Sequence, residues 1–291
     1  MGYLAELLKL NGRKPRLFVE PFAGGASVSL QLLNDGLVEK IAIGDKDELV
    51  SAFWHTVFFD ADWLIKRIEE VEPTLQLWEY YKTNTPKTRR ERAFACLFLN
   101  RTSFSGILSD TAGPIGGRAQ QSAYGIGCRF PKQRLIDRIR QAELLSGNVL
   151  LVKAGSWKST LKAASSLGYP SREILHYFDP PFYKKADRLY RHYFVAKQHK
   201  QLAKAVATLE SDYVLSYDVA EPIIKLYSDF GMVPAQVELL YSTGSREKLQ
   251  SAKELIVTNL TNFPEQNRLW LSKAESLQIK QIRIDNTAVC A

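Results

Sequence analysis

Arg16-Leu17-Phe18-Val19-Glu20-Pro21-Phe22-Ala23-Gly24-Gly25-Ala26-Ser27, followed at a distance by Lys40-Ile41-Ala42-Ile43-Gly44-Asp45, decides the fold class. The first stretch is a short strand, Arg16 to Glu20, running into a glycine loop. Val28, Leu30, Leu32 and Leu33 then recur at helical spacing. The second stretch is a strand that ends in an acid. A strand, a glycine loop, a helix and an acid-ended strand make a nucleotide-binding βαβ unit, so an α/β fold is expected. Glycines without Cβ atoms let a ligand approach the backbone closely. Asp45, 25 residues beyond Glu20, is placed to accept both ribose hydroxyls of an adenosine. The adjacent Gly24 and Gly25 do not make G-x-G-x-x-G, and a pyrophosphate fits them poorly. An adenosine cofactor without pyrophosphate is therefore expected, although a plain structural turn with Ser27 entering the helix has the same composition.

A second stretch carries chemistry: Tyr177-Phe178-Asp179-Pro180-Pro181-Phe182-Tyr183. Ile174 to Phe178 is an apolar run suited to a buried strand. The two prolines lack N–H groups and push their preceding residues to extended geometry, so Asp179 cannot enter a helix. A carboxylate, unclaimed carbonyls and an aromatic ring thus crowd one strand end, which suits an exocyclic amine on a flat heterocycle. A strand terminator with an ordinary Pro-Pro turn is the plainer reading. In an open parallel sheet, ligands bind beyond the carboxyl ends of the strands. Glu20, the Gly24-Gly25 loop, Asp45 and Asp179 all fall at such ends and are expected to share one pocket.

Composition narrows the partner. The 291 residues, 45% hydrophobic and 24% charged, suit one large α/β domain with an insertion or two smaller domains. No apolar run approaches a membrane span and no signal pattern follows Met1, so no membrane association is expected. Cys96, Cys128 and Cys290 are scattered, which suits a reducing cytoplasm, and the four histidines are not paired for zinc. No metal site is expected. The formal net charge is +8, and it is uneven. Seven cations and two acids lie between Arg101 and Arg140, and seven cations and Asp187 lie between Lys184 and Lys204. Such runs are either solvated helix faces or, flanking the Asp-Pro-Pro segment as they do, a surface for nucleic acid.

Along the chain, helical periodicity fills the region after Asp45, with apolar groups at Leu49, Phe53 and Val57, at Leu64, Ile65 and Ile68, and at Ala93, Phe94, Leu97 and Phe98. Ser105 to Phe130 holds six glycines (Gly106, Gly113, Gly116, Gly117, Gly125, Gly127) and is expected to be a mobile loop or a twisted hairpin. Arg134 to Leu145 is again helical. Strands are expected at 149–152, 174–178, 213–216, 237–241 and 255–258, with helices at 159–167, 197–209 and 222–230 between most of them. Residues 1–54 and 147–260 are thus expected to form the α/β domain, 55–146 an insertion, and 261–291 an extension with a possible edge strand over Leu277 to Ile284.

The ordered motifs resemble the Dam-type adenine-specific DNA methyltransferases, which use S-adenosylmethionine. Glu20-Pro21-Phe22-Ala23-Gly24-Gly25-Ala26-Ser27 resembles that family's first cofactor motif, and Gly44-Asp45-Lys46-Asp47 its ribose-binding motif. Asn100-Arg101-Thr102-Ser103-Phe104-Ser105-Gly106 resembles the start of its DNA-contacting hairpin region, and Asp179-Pro180-Pro181-Phe182 the catalytic motif. Weaker matches follow at 199–203, 215–218 and 253–259. The resemblance covers most of the chain. It implies a Rossmann-like methyltransferase sheet with a mainly helical, hairpin-containing insertion for DNA recognition.

The resemblance further implies transfer of a methyl group to N6 of a flipped adenine, with restriction–modification as one setting. Phe182 would stack on the base, and the Asp179 carboxylate and Pro180 carbonyl would accept its amine hydrogens. Glu20 to Gly25, Asp45 and Asp179 would hold the cofactor. Arg101, Arg118, Arg129, Lys184 and Lys185 are the expected DNA contacts, and a monomer suits the size. Two departures bear on the cofactor. The family usually carries Gly-Gly-Lys upstream of the first strand, whereas Met1-Gly2-Tyr3 begins just after that point; either the chain is truncated there or another cation such as Lys14 substitutes. The family often has an acid before an aromatic after the third strand, whereas this chain has Gly155-Ser156-Trp157. Ser156 would replace the acid and Trp157 would stack, unless Trp157 is a core aromatic. Rival readings keep the fold and change the amine (cytosine N4, adenine in RNA, a protein glutamine) or make the chain a non-catalytic DNA-binding relative.

Overall fold

The computed structural model describes residues 2–184, 191–242 and 249–265. Lys185, Asp187, Arg188 and the edge strand expected at Leu277 to Ile284 lie outside the described residues. Strands β1 (Leu17–Glu20), β2 (Lys40–Asp45), β3 (Val149–Ala154), β4 (Ile174–Phe178), β5 (Asp212–Asp218), β6 (Ala235–Ser242) and β7 (Leu249–Thr258) form one sheet in the order β3-β2-β1-β4-β5-β7-β6. The first five are parallel, and β7 runs antiparallel to both its neighbours. This is a Rossmann-like, mostly parallel sheet of the kind expected. β7 begins at Leu249 rather than at Leu255, because pairing with β6 from Ala235↔Ile256 to Ser242↔Leu249 satisfies its main chain well before the apolar run starts.

The central strands read as continuous apolar runs because both faces are covered. Side chains alternate across a strand. Phe18, Ile41 and Ile43 therefore enter one core, while Leu17, Val19 and Ala42 enter the core on the opposite face. Helix α1 (Gly2–Leu10) buries Tyr3, Leu4, Leu7 and Leu8 in the first of these. Asn11 then fastens the helix end to the chain after β7, accepting from the Thr261 and Asn262 amides at 3.0 Å each. No helix among the described residues is long and apolar enough to cross a membrane.

The sheet order reverses between β1 and β4. One connection leaves toward β2 and the other toward β5, which opens a crevice at the carboxyl ends of β1 and β4. Helix α2 (Ser27–Asn34) follows β1, and α3 (Glu48–Phe59) follows β2. Beyond them lie α4 (Ala61–Glu70), α5 (Leu75–Thr83), α6 (Arg89–Thr102) and α7 (Lys132–Glu143). The boundary expected between residues 54 and 55 falls inside α3, whose Trp54 and Val57 share one core with Phe18 of the sheet and Phe98 of α6.

Of the two forms expected for 105–130, a loop or a twisted hairpin, the chain takes a loop of irregular backbone. Its sole pairing among the described residues is the bridge between Ser103 and Pro114. Left-handed backbone at Ser105, Gly106, Gly116, Gly117 and Gln120 turns the chain repeatedly and prevents two straight strands from forming. Gln120 does the work of a ladder: its Nε2 donates to the Ile115 and Gly117 carbonyls at 2.7 and 2.6 Å, and its Oε1 accepts from the Ile126 amide at 2.9 Å.

Candidate active site

β1 ends in Glu20, which is almost fully buried and accepts from the Ser29 amide at 3.3 Å and from the Ser29 hydroxyl. Burial raises its carboxyl to about 8, and the nearby Asp179 and Asp45 add to the rise while the bonds from Ser29 oppose it. Gly24 follows with φ +46°, and a Cβ built on Gly24 or Gly25 would meet nothing, so the loop leaves open space above its backbone. The helix cap is Ala26, itself left-handed and without a side-chain cap, rather than Ser27, which is exposed at the cavity. Among the first amides of α2, that of Ser29 is met by Glu20 rather than by a capping side chain.

Asp45, at the end of β2, holds two loops at once. Its Oδ2 accepts from the Gly24 amide at 2.9 Å and its Oδ1 from the Asp47 amide at 2.8 Å. Burial lifts it to about 6, against the pull of these amide bonds. Trp54 supplies a second tie, donating from Nε1 to the Gly24 carbonyl at 2.8 Å. Sequence reading missed this residue, because a tryptophan at helical spacing looks like ordinary core.

β4 delivers Asp179. Its side chain is open to the cavity yet ringed by protein, which raises its carboxyl to about 6, against the bond from Ser216. Ser216 of β5 donates to Asp179 Oδ1 at 3.0 Å and lies 3.3 Å from the Tyr177 hydroxyl. One residue pair further along β5, Asp218 clasps the other limb of the loop, accepting from the Tyr183 amide at 2.7 Å and the Lys184 amide at 3.0 Å. Behind the loop, helix α9 (Ala196–Ala207) brings buried His199, whose Nδ1 lies 2.7 Å from the Tyr217 hydroxyl and whose ring touches Tyr183 and Phe194. Burial pushes that imidazole down to about 4, so it is neutral at neutral pH.

Asp218 is a positioning residue for this loop. Asp218→Ala is expected to slow a single turnover at this site roughly 10- to 100-fold, the rate equivalent of losing ~1 to 3 kcal/mol of charge-assisted hydrogen bonding. Affinity for a ligand held at Asp45 and the glycine loop should stay at the wild-type value in a calorimetric titration. An unchanged single-turnover rate would show that the loop holds its shape without the clasp.

These pieces meet in one cavity of about 530 Å³. Glu20, Phe22, Ala23, Gly24, Gly25, Asp45, Asp179 and Pro181 all line it. Pro21 and Pro180 are buried beside it without lining it, and half-buried Phe182 likewise does not reach its wall. Two walls were not foreseen. Cys96, Leu97 and Asn100 of α6, with Ile107 and Leu108, close it from the insertion. Arg191, His192, Tyr193 and Phe194 form a roof, tied down where Arg191 Nη1 meets Asp47 Oδ1 at 2.9 Å and where Phe194 meets Phe22 edge-on at 5.7 Å.

Ser156 and Trp157 are not at the cavity. Ser156 caps helix α8 (Trp157–Ser165), accepting from the Ser159 amide, and Trp157 is buried in a core with Phe178 and Leu202. The helix turns its first residue down onto the sheet, so the indole fills core volume. Lys14 is exposed and absent from the lining, whose cations are Lys46 and Arg191. Of the expected DNA contacts, Arg101 is half-buried, Arg129 is exposed, Arg118 lies 3.7 Å from Glu79, and Lys184 Nζ donates to the Val219 carbonyl at 3.0 Å. Lys185 lies outside the described residues. Among the described residues no group of three His, Cys, Asp or Glu side chains is arranged to hold a metal ion.

Among the described residues Glu20, Asp45 and Asp179 form no ion pair, and all three carboxyls are raised. A cavity floor of uncompensated acids beside an open glycine loop suits a ligand that brings positive charge and an adenosine.

The family model described as D12 class N6 adenine-specific DNA methyltransferase matches residues 3–239. No curated protein matches the sequence significantly. Among solved structures, the chain is similar to precorrin-6y C5,15-methyltransferase from Geobacter metallireducens, at 13% identity and a TM-score of 0.37, covering 88% of this chain and 84% of that chain. It is also similar to the rRNA methyltransferase aviRa from Streptomyces viridochromogenes, at 13% identity and a TM-score of 0.37, covering 88% of this chain and 83% of that chain.

Proposed function

The chain belongs to the D12 class N6 adenine-specific DNA methyltransferase family, and from that premise we propose that Asp179 and Pro180 grip the amine of an adenine turned out of the duplex into the cavity described above. The enzyme methylates adenine N6 in DNA with S-adenosylmethionine as donor. Supporting the assignment is one observation: Asp179 from β4, Asp45 from β2 and the Gly24-Gly25 loop open onto the same cavity.

S-adenosylmethionine, when bound, supplies an electrophilic methyl group on a positively charged sulfur. The protein's share is orientation and charge. Asp45 would accept from the ribose hydroxyls while keeping its hold on the Gly24 amide. The Gly24-Gly25 backbone lies open to the donor, and Glu20 and Asp179 supply negative potential on the cavity floor. Extrusion of the adenine costs a few kcal/mol of stacking and pairing. The Asp179 carboxylate, and the Pro180 carbonyl once the loop turns it to the cavity wall, each accept one amine hydrogen, which localises the nitrogen lone pair and aims it across the cavity. Phe182 stacks on the base after moving to the cavity wall. Ser216 and Asp218 hold the loop in the orientation this requires. No covalent bond to the protein forms.

The reading extends to organisation. The sheet forms the catalytic domain, the helices between α3 and β3 form the DNA-recognition insertion, and residues 261–291 are an extension. The enzyme acts as a monomer in the cytoplasm. The test is incorporation of labelled methyl groups into unmethylated DNA, followed by digestion to nucleosides. N6-methyl-2′-deoxyadenosine is the expected product. N4-methyl-2′-deoxycytidine, or no incorporation, would overturn the assignment of the amine or of the activity.

A further inference from the structure

The insertion carries two kinds of arginine. Some are committed within the protein: Arg90 to Asp60 at 2.6 Å, Arg92 to Glu48 at 2.8 Å, and Arg140 to Asp62 and Glu143 at 2.6 and 2.8 Å. Arg101, Arg129, Arg134 and Arg138 are not, and among the described residues none of them forms an ion pair or a side-chain hydrogen bond. Asp137, their nearest acid in sequence, accepts instead from Gln133 Nε2 at 2.8 Å.

The fold nonetheless brings these four together. The Phe98 and Phe130 rings stand 5.9 Å apart and fasten the last turn of α6 to the segment entering α7. Arg101 lies one turn beyond Phe98, and Arg129 immediately precedes Phe130. Leu135 and Ile139 bury one face of α7 in the same core, leaving Arg134 and Arg138, one turn apart, exposed. Burial, and then the charges of Arg129, Arg138 and Arg134, hold the Arg101 guanidinium below its ordinary pKa. Four like charges gathered without an acid paired to them among the described residues cost the free protein energy, which an anion of matching charge density relieves. Each planar fork also matches a phosphate in two-point geometry.

We propose that Arg101, Arg129, Arg134 and Arg138 form a clamp for the backbone phosphates of the substrate duplex, with the α7 pair as its outer half. Asn100, the neighbour of Arg101, lines the cavity, so a duplex held here lies at the mouth through which the adenine enters. The clamp rests on DNA being the substrate and adds where its backbone lies.

The test compares wild-type protein with R134A/R138A, measuring anisotropy of a labelled duplex between about 50 and about 200 mM salt, where phosphate contacts dominate. The double variant should show a log–log salt slope shallower by about one to two, with roughly tenfold weaker binding at the lower salt. Its melting temperature and S-adenosylmethionine affinity should match wild type. Should the alanine pair melt lower, R134K/R138K decides: retained slope supports a charge clamp, and a slope as shallow as that of the alanine pair overturns it. Wild-type slope and affinity in R134A/R138A would also overturn it. Production of N6-methyladenine with that unchanged slope rejects the clamp alone, whereas an altered slope without methylation rejects the reaction and leaves the clamp standing.

Discussion

Asp179→Ala is expected to lower methyl transfer by about 10³-fold, the scale of losing a charged group aimed at the reacting atoms. The alanine removes one of the two acceptors of the amine and the negative potential beside it. The Ser216 hydroxyl is left without its carboxylate partner, but Ser216 sits 3.3 Å from the Tyr177 hydroxyl and can turn to it. The fold should therefore survive. Retention of more than a few per cent of the wild-type single-turnover rate would sink the assignment.

The carboxyl is held up at about 6, and its ionised form is the stronger acceptor and the one that supplies negative potential. The wild-type rate should therefore climb with pH through about 6 and level off above it, and Asp179→Asn should lose that limb while keeping part of the rate. Stability runs the other way. Between the ordinary carboxylate range near ~4 and the folded values of about 6 for Asp179 and Asp45 and about 8 for Glu20, the folded chain holds more protons than the unfolded one. Stability of the ligand-free protein should thus fall as pH rises through that window. Asp179→Ala removes one contributor, so its melting temperature near neutral pH should equal or exceed that of wild type. A clear drop would mean that the carboxylate is structural.

Asp45→Ala is expected to weaken S-adenosylmethionine binding about 100-fold or more, since one charge-assisted hydrogen bond is worth ~1.5 to 3 kcal/mol and several depend on this group. The loss has two sources. The ribose acceptor disappears, and the Gly24 and Asp47 amides lose the carboxylate that spans the glycine loop and the α3 loop. Asp45→Asn keeps the shape with one neutral acceptor and should fall between the two. Affinity for duplex DNA, measured without cofactor, should be unaffected. A dissociation constant for Asp45→Ala within about threefold of wild type would remove Asp45 from the cofactor site.

Local covalent chemistry was legible from the chain alone. A buried strand needs an apolar run, prolines forbid a helix after Asp179, and adjacent glycines leave backbone bare, whatever surrounds them. Those facts placed Glu20, Asp45 and Asp179 at strand ends, and parallel-sheet topology then required the ends to meet. Tertiary packing decided the rest. Trp157 reads identically as a stacking ring or as core, and only the direction in which α8 leaves β3 sends it into the interior. The 105–130 segment has the glycines of a hairpin, but left-handed turns and the Gln120 side chain satisfy its backbone without strands. The Arg191 to Phe194 roof, the Ser216 and Asp218 supports, and the four gathered arginines join residues far apart in sequence. Such contacts follow from how separately formed elements exclude water and share a core, and no local pattern records them.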